Sequence, residues 1–135
     1  MGRPRSFDED VAVARAGRLF ARLGYEGASV DDLVRELGVH RGSLYSTFGS
    51  KRALYLRVLA EHVDGLADRG TDTDLTLLLR AAVERAPVDA EAAALVRRGL
   101  TTLHRALPPD ADTALAQLLG TQLIRRAGTP LQEET

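Results

Sequence analysis

The stretch Ser29 to Lys51, SVDDLVRELGVHRGSLYSTFGSK, constrains the fold more than any other part of the chain. Ser29 is followed three residues on by Asp32, a shortened capping box: the hydroxyl accepts an orphan backbone N–H and the acid reaches back to the cap. Val30, Leu33, Val34 and Leu37 recur at i, i+3, i+4 and i+7, one apolar face of a two-turn helix. Gly38 stands where a left-handed residue stops that helix. Val39 is the apolar residue of a tight turn, and a second short helix starts near His40 or Arg41. Helix, glycine-containing turn, helix is the helix-turn-helix pattern, whose second helix is shaped to enter a major groove.

The second helix supports this by what it leaves outside. Of His40 to Phe48, only Leu44 and Phe48, four apart, must face inward. The remainder is small, polar or cationic, and no acid occurs between Gly38 and Ala60. An ordinary surface helix carries Glu and Lys pairs at i, i+4. Acids repel phosphate, so their absence suits a segment facing nucleic acid.

Residues from about Phe7 to Val63 resemble the N-terminal DNA-binding domain of TetR-family transcriptional regulators. The match is carried at fixed spacing by Phe20, Gly24, Tyr25, Ser29, Val30, Leu33, Gly38, Val39, Gly42, Ser43, Leu44, Tyr45, Phe48, Lys51 and Leu54. Two positions depart from the pattern: Leu33-Val34 stands where the family often has Ile-Ala, and His40 where it has Ser or Thr. The first changes core volume only; the second removes a cap from the recognition helix. The resemblance implies an all-α fold of about seven helices: a three-helix helix-turn-helix domain linked by a fourth helix to a short helical C-terminal dimerisation region. It also implies a sequence-specific regulator, most often a repressor, that binds a palindromic operator in double-stranded DNA as a homodimer.

The formal net charge of −1 argues against nucleic acid until its distribution is considered. Residues 1–57 hold ten Arg or Lys against seven Asp or Glu, and residues 58–135 hold eight against twelve. A basic front and an acidic back suit a protein that presents one end to phosphate. With 135 residues the chain can bury a core, and roughly 68% of the unfolded surface is removed at this length. It has no cysteine, hence no disulfide, thiolate metal site or cysteine nucleophile. No apolar run reaches membrane-span length, and MGRPRSFDED lacks a signal-peptide core. A cytoplasmic, nucleoid-associated setting is expected, with no cofactor and no metal.

The pattern predicts helices over about 8–23, 29–37, 40–48, 51–68, 72–86, 89–107 and 110–127. They divide into a DNA-binding domain over 1–68 and a short helical dimerisation or regulatory domain over 69–135. The first shows Ala12, Ala16, Leu19, Phe20 and Leu23 on one face, with Asp8, Glu9 and Asp10 suiting its N-terminal dipole. Tyr25 reads as a core aromatic. The fourth should bury Leu54, Tyr55, Val58, Leu59, Val63 and Leu66, with His62 as a partly buried structural histidine. A cap at Thr71 or Asp72 opens the fifth, with Leu75, Leu78, Leu79, Ala82 and Val83 apolar, and Pro87 ends it. Asp89 caps the sixth, Pro108-Pro109 ends it, and the tail from Gly128 frays.

The last two helices carry more leucine than a thin helical layer hides, with Gly99 and Gly120 permitting close helix approach. Such a pair commonly forms a four-helix bundle with its own copy. Leu95, Leu100, Leu103, Leu115, Leu118, Leu119 and Leu123 are the expected dimer interface, against the alternative of an intramolecular core on the fourth helix. The C-terminal domain of the family is usually longer and encloses an effector pocket. Here a reduced or missing pocket is expected, and a small-molecule effector stays open.

Expected DNA contacts follow from side-chain chemistry. Arg41 is the base reader, its fork matching guanine O6 and N7. Gly42, Ser43, Tyr45 and Ser46 line the groove, with the Tyr45 hydroxyl on a phosphate. Ser29, Thr47 and Lys51 position the backbone. A cation at the start of the fourth helix opposes the dipole, which a phosphate contact explains better than stability; the matching lysine of the family sits close to the DNA backbone. Arg3 and Arg5 flank Pro4 in an arm that either is a disordered tail or reaches phosphates or a minor groove. An enzyme is the first rival class. His40, His62 and His104 fall on separate helices, with no nucleophile–base pairing, phosphate loop or metal spacing. The second rival is a helical protein-interaction module that keeps the fold but binds no specific DNA.

Overall fold

The computed structural model describes residues 8–69, 73–108 and 110–127, and every regular element among them is helical. The order is α1 (Glu9–Leu23), α2 (Val30–Leu37), α3 (Arg41–Phe48), α4 (Lys51–Asp64), α5 (Leu66–Arg69), α6 (Thr76–Arg80, continued as a π-helical turn over Ala81–Arg85), α7 (Ala90–Arg105) and α8 (Ala111–Arg126). Arg3 and Arg5, the cap at Thr71 or Asp72, Pro109 and the tail from Gly128 lie outside the described residues.

Local chemistry sets most helix ends. The Asp8 carboxylate accepts from the Asp10 and Val11 amides at 2.9 and 3.3 Å and opens α1. The Ser29 hydroxyl accepts from Asp32 N–H at 3.0 Å while the Asp32 carboxylate accepts from Ser29 N–H at 3.0 Å, a reciprocal capping box. Those bonds hold the Asp32 carboxyl below its usual range, the backbone bond from Ser29 most of all. Gly38 ends α2 in the left-handed region, at φ 67°.

One continuous core joins the helices, with Phe20, Leu33, Leu44, Leu54, Leu59, Leu66, Leu75, Leu78 and Leu103 fully buried. α4 is its axis, packing on α1 and α3 on one side and on α6 and α7 on the other. Phe20, Tyr25 and Tyr55 form an aromatic cluster, with Phe20–Tyr55 and Tyr25–Tyr55 edge-to-face at 5.1 and 4.9 Å. Burial pushes the Tyr55 hydroxyl up to about 12. Two ion pairs brace α4 to its neighbours: Arg57–Glu9 at 2.9 Å and Arg98–Asp64 at 2.6 Å.

Several expectations are corrected. The fourth helix does not run unbroken to 68. Its ladder ends at Gly65, whose N–H is shared between the Glu61 and Val63 carbonyls, and a separate short helix, α5, follows. The next helix starts at Thr76, not near 72; the Asp74 carboxylate accepts from Thr76 N–H at 2.9 Å and from its hydroxyl at 2.5 Å. In its second half the Ala86 N–H donates to the Ala81 carbonyl, five residues back, at 2.8 Å. This wider turn rotates the face, so Ala81 is buried and Val83 is 74% exposed. On α1, Val13 is buried where Leu23 was expected, because the chain turns away at Gly24.

The C-terminal helices divide the expected interface. Leu103 is 1% exposed inside the monomer core, so it faces no second copy. A Cβ on Gly99 would meet Leu78, Val63 and Leu66 at 3.1 to 3.3 Å, so the close approach there is within one chain. Gly120 has open space around it. Leu95, Leu100, Leu115, Leu118 and Leu119 are partly buried against the core, while Leu123 and Ile124 are exposed. A hydrogen bond from the Gln122 amide to the Thr73 carbonyl at 3.2 Å ties α8 down near its end.

Candidate nucleic-acid interface

α2 and α3 meet across the Gly38-Val39 turn, and the burial pattern of α3 decides which side faces out. Leu44, at 1% exposure, and Phe48 are the buried residues of α3, four apart and on one stripe. Arg41, Gly42, Tyr45 and Ser46 are exposed, and Ser43 and Thr47 are half-buried at the edges of that face. Open space surrounds Gly42. The face holds one cation, four hydroxyls that donate or accept, and no acid of its own.

α3 begins at Arg41 with no side-chain cap from His40. Its first amide donors are therefore available to an anion, as helix N-termini offer them. The Ser29 hydroxyl oxygen is occupied in the α2 cap, but its proton is still free to be donated. The Ser46 hydroxyl donates to the Ser43 carbonyl at 3.2 Å. Tyr45 is 41% exposed and stands out from the surface.

Arg41 does not hang free. Its Nη2 pairs with the Asp31 carboxylate on the first turn of α2. No sequence pattern signalled this contact, because the partners are ten residues apart on different helices.

Lys51 opens α4, whose first turn is capped by Ser50 accepting from Ala53 N–H at 3.0 Å. The Lys51 ammonium sits 4.5 Å from the centroid of the Tyr25 ring, and the Arg85 guanidinium lies 4.1 Å from the same ring. Tyr25 is thus half-buried between two cations as well as packed on Phe20 and Tyr55. This cation–π contact explains how a lysine is tolerated at the positive end of a helix, beside any phosphate contact.

Behind this surface a charged cluster joins the two halves of the chain. Arg85 pairs with Glu26 at 3.2 Å and Asp89 at 3.7 Å. The buried Asp89 takes two bonds from Arg52, at 2.9 and 3.1 Å, while also capping α7 through the Glu91 and Ala92 amides. The Arg52 hydrogen bond, with the two amides, brings the Asp89 carboxyl down from 3.8 to about 2. Arg52 is raised in return.

Two helices joined by a left-handed glycine turn and held by a third, the second of them presenting an outer face with no acid of its own, define a helix-turn-helix domain. Residues 12–58, within this domain, match the family described as bacterial regulatory proteins, tetR family. Over 65 residues it is 43% identical to YezE of Bacillus subtilis, an uncharacterized HTH-type transcriptional regulator; the match covers 48% of this chain and 34% of that one. Over 66 residues it is 41% identical to the HTH-type transcriptional repressor ComR of Escherichia coli, covering 49% of this chain and 31% of that one. A longer match, 32% identical over 124 residues, reaches the HTH-type transcriptional regulator EthR of Mycolicibacterium smegmatis and covers 91% of this chain and 51% of that one. The chain thus spans a third to a half of the length of these relatives.

Proposed function

We propose that this chain is a sequence-specific DNA-binding transcriptional regulator that reads a palindromic operator as a homodimer, with repression as its mode. The observation that carries this is the face of α3: Leu44 and Phe48 lock the helix to the core while Arg41, Gly42, Tyr45 and Ser46 stand outside with no acid among them. Arg41 reads a base edge, and Ser43, Tyr45, Ser46 and Thr47 line the groove. Ser29 and Lys51 take phosphates, joined by Arg3 and Arg5 of the N-terminal arm. Residues 1–68 act as the reading domain and 69–135 as the dimerisation domain. Dimerisation falls to α8, where Leu123 is exposed, Gly120 faces open space, and Leu115, Leu118 and Leu119 are only partly covered. Pairing brings two recognition helices to a separation near 34–36 Å, one turn of duplex. ComR, described as a repressor, supports the sign of regulation. No enzymatic role is assigned, and cytoplasmic residence follows from the operator as partner. Among the described residues no helix is long and apolar enough to cross a membrane.

A groove of about 330 Å³ lined by Thr76, Leu79, Arg80, Val83, Glu84 and Leu123 is the place in the C-terminal half for a small effector. It is open and lies beside α8, so the effector competes with or completes the dimer.

The test is selection of random duplexes on the purified protein at two salt concentrations. A palindromic consensus, with affinity falling about 10³-fold or more between 50 and 200 mM salt, is the expected outcome. Weak salt-sensitive binding with no consensus would instead favour the helical interaction module.

A further inference from the structure

The contact between Asp31 and Arg41 places an acid on the surface assigned to DNA, where it opposes phosphate. We infer that Asp31 is a specificity-determining residue: it holds the Arg41 guanidinium in the direction of a base edge and keeps it off the phosphate backbone. The inference rests on the reading of α3 proposed above.

Three observations carry it. First, α3 contains no acid and no side-chain cap, so nothing on its own helix restrains a long arginine at its first position. The helix dipole, positive at that end, pushes the guanidinium outward. An unrestrained arginine on such a surface finds the nearest phosphate, which is the same at every sequence. Second, Asp31 belongs to a rigid turn, because the reciprocal bonds of Ser29 and Asp32 pin the start of α2. Arg35 pairs with Asp32 at 3.7 Å, which leaves Asp31 to Arg41. Third, the pair is wet, with the two side chains 55% and 73% exposed. An ion pair this exposed adds little to folding stability, so its consequence is direction. The contact uses Nη2, and a guanidinium has five N–H donors, which leaves others of the fork for guanine O6 and N7.

The experiment compares affinity for the duplex selected by the wild-type protein with affinity for a random duplex of equal length. It uses full-length wild-type, Asp31→Asn, Arg41→Ala and the double variant, with thermal melting of each. Asp31→Asn is expected to melt like wild-type, bind the random duplex more tightly, and lose about tenfold of the specific-to-random ratio, within the range one bidentate base contact supplies. The loss should map to one base position per half-site. In the Arg41→Ala background the same change should leave the ratio unaltered. An equal affinity gain on both duplexes, in both backgrounds, would mean that Asp31 only repels phosphate and would overturn the inference. An unchanged ratio beside a lowered melting temperature would do the same in favour of a purely structural role. A wild-type protein that selects no consensus removes the DNA reading itself, and this inference with it.

Discussion

α3 and α8 are each attached to the core along one side and open on the other, and their open sides are opposites. α3 turns Arg41, Gly42, Tyr45 and Ser46 outward. α8 turns Leu123 and Ile124 outward and covers Leu115, Leu118 and Leu119 only in part. A polar, cationic face keeps its hydration and suits a charged, wet partner; an apolar face gains free energy only by losing water. Two faces of one small chain thus differ in chemistry, and α4 joins them by packing on α3 and on the α6 and α7 that carry α8. The attachment differs as well. α3 follows the left-handed Gly38 and is held by the buried Leu44 and Phe48, whereas α8 relies on partly buried leucines, Gln122 to Thr73, and the His104–Asp112 pair at 2.9 Å.

The largest effect that would test this contrast is in the core beneath α3. Leu44→Ala should cost about 2–5 kcal/mol in denaturant unfolding, because the site is fully enclosed. A cost no larger than that of Leu119→Ala on α8 would break the comparison.

Asp89 comes next, since it caps α7 and receives Arg52. Asp89→Ala should cost about 1–3 kcal/mol, from a lost cap and an arginine left with one acid fewer. Its depressed carboxyl also sets a sign. The stabilisation is complete above the ordinary value of 3.8 and is lost as pH falls through about 2. The difference between wild-type and Asp89→Ala in urea should therefore shrink between pH 4 and pH 2.

On the DNA side, Arg41→Ala should lose about 1–3 kcal/mol on the selected duplex and relax one position. Lys51→Ala should weaken all duplexes alike and reduce the salt slope by about 1. Equal losses on random and selected DNA for both would erase the distinction between reader and positioner.

The smallest stability effect sharpens the comparison most. Leu123→Asp should change monomer stability by less than about 0.5 kcal/mol, because the site is already exposed. It should nonetheless shift the sedimentation profile from dimer to monomer. A dimer that survives this change would move the interface off the end of α8.

Some of this was readable in the chain itself, and the reason is range. Caps and glycine turns act within three or four residues, so Ser29 with Asp32, Gly38 after Leu37, and Asp89 before α7 are visible as local patterns. The inward spacing of Leu44 and Phe48 is visible for the same reason. Val83 and Leu103 were misread because a periodic pattern marks an apolar face without saying what covers it. The π-turn turned Val83 out, and α7 spent Gly99 and Leu103 on its own core.

By itself, then, the amino-acid sequence determined an all-helical chain whose second and third helices meet at a left-handed glycine, because those signals are local and additive. The tertiary structure alone decided which leucines the core consumes and which it leaves exposed or partly covered, because burial depends on elements far apart in the chain. It alone also set Asp31 against Arg41 and Tyr25 between Lys51 and Arg85. Those contacts are made across separate helices, and a charge or a ring carries no mark along the chain of the partner that packing will bring to it.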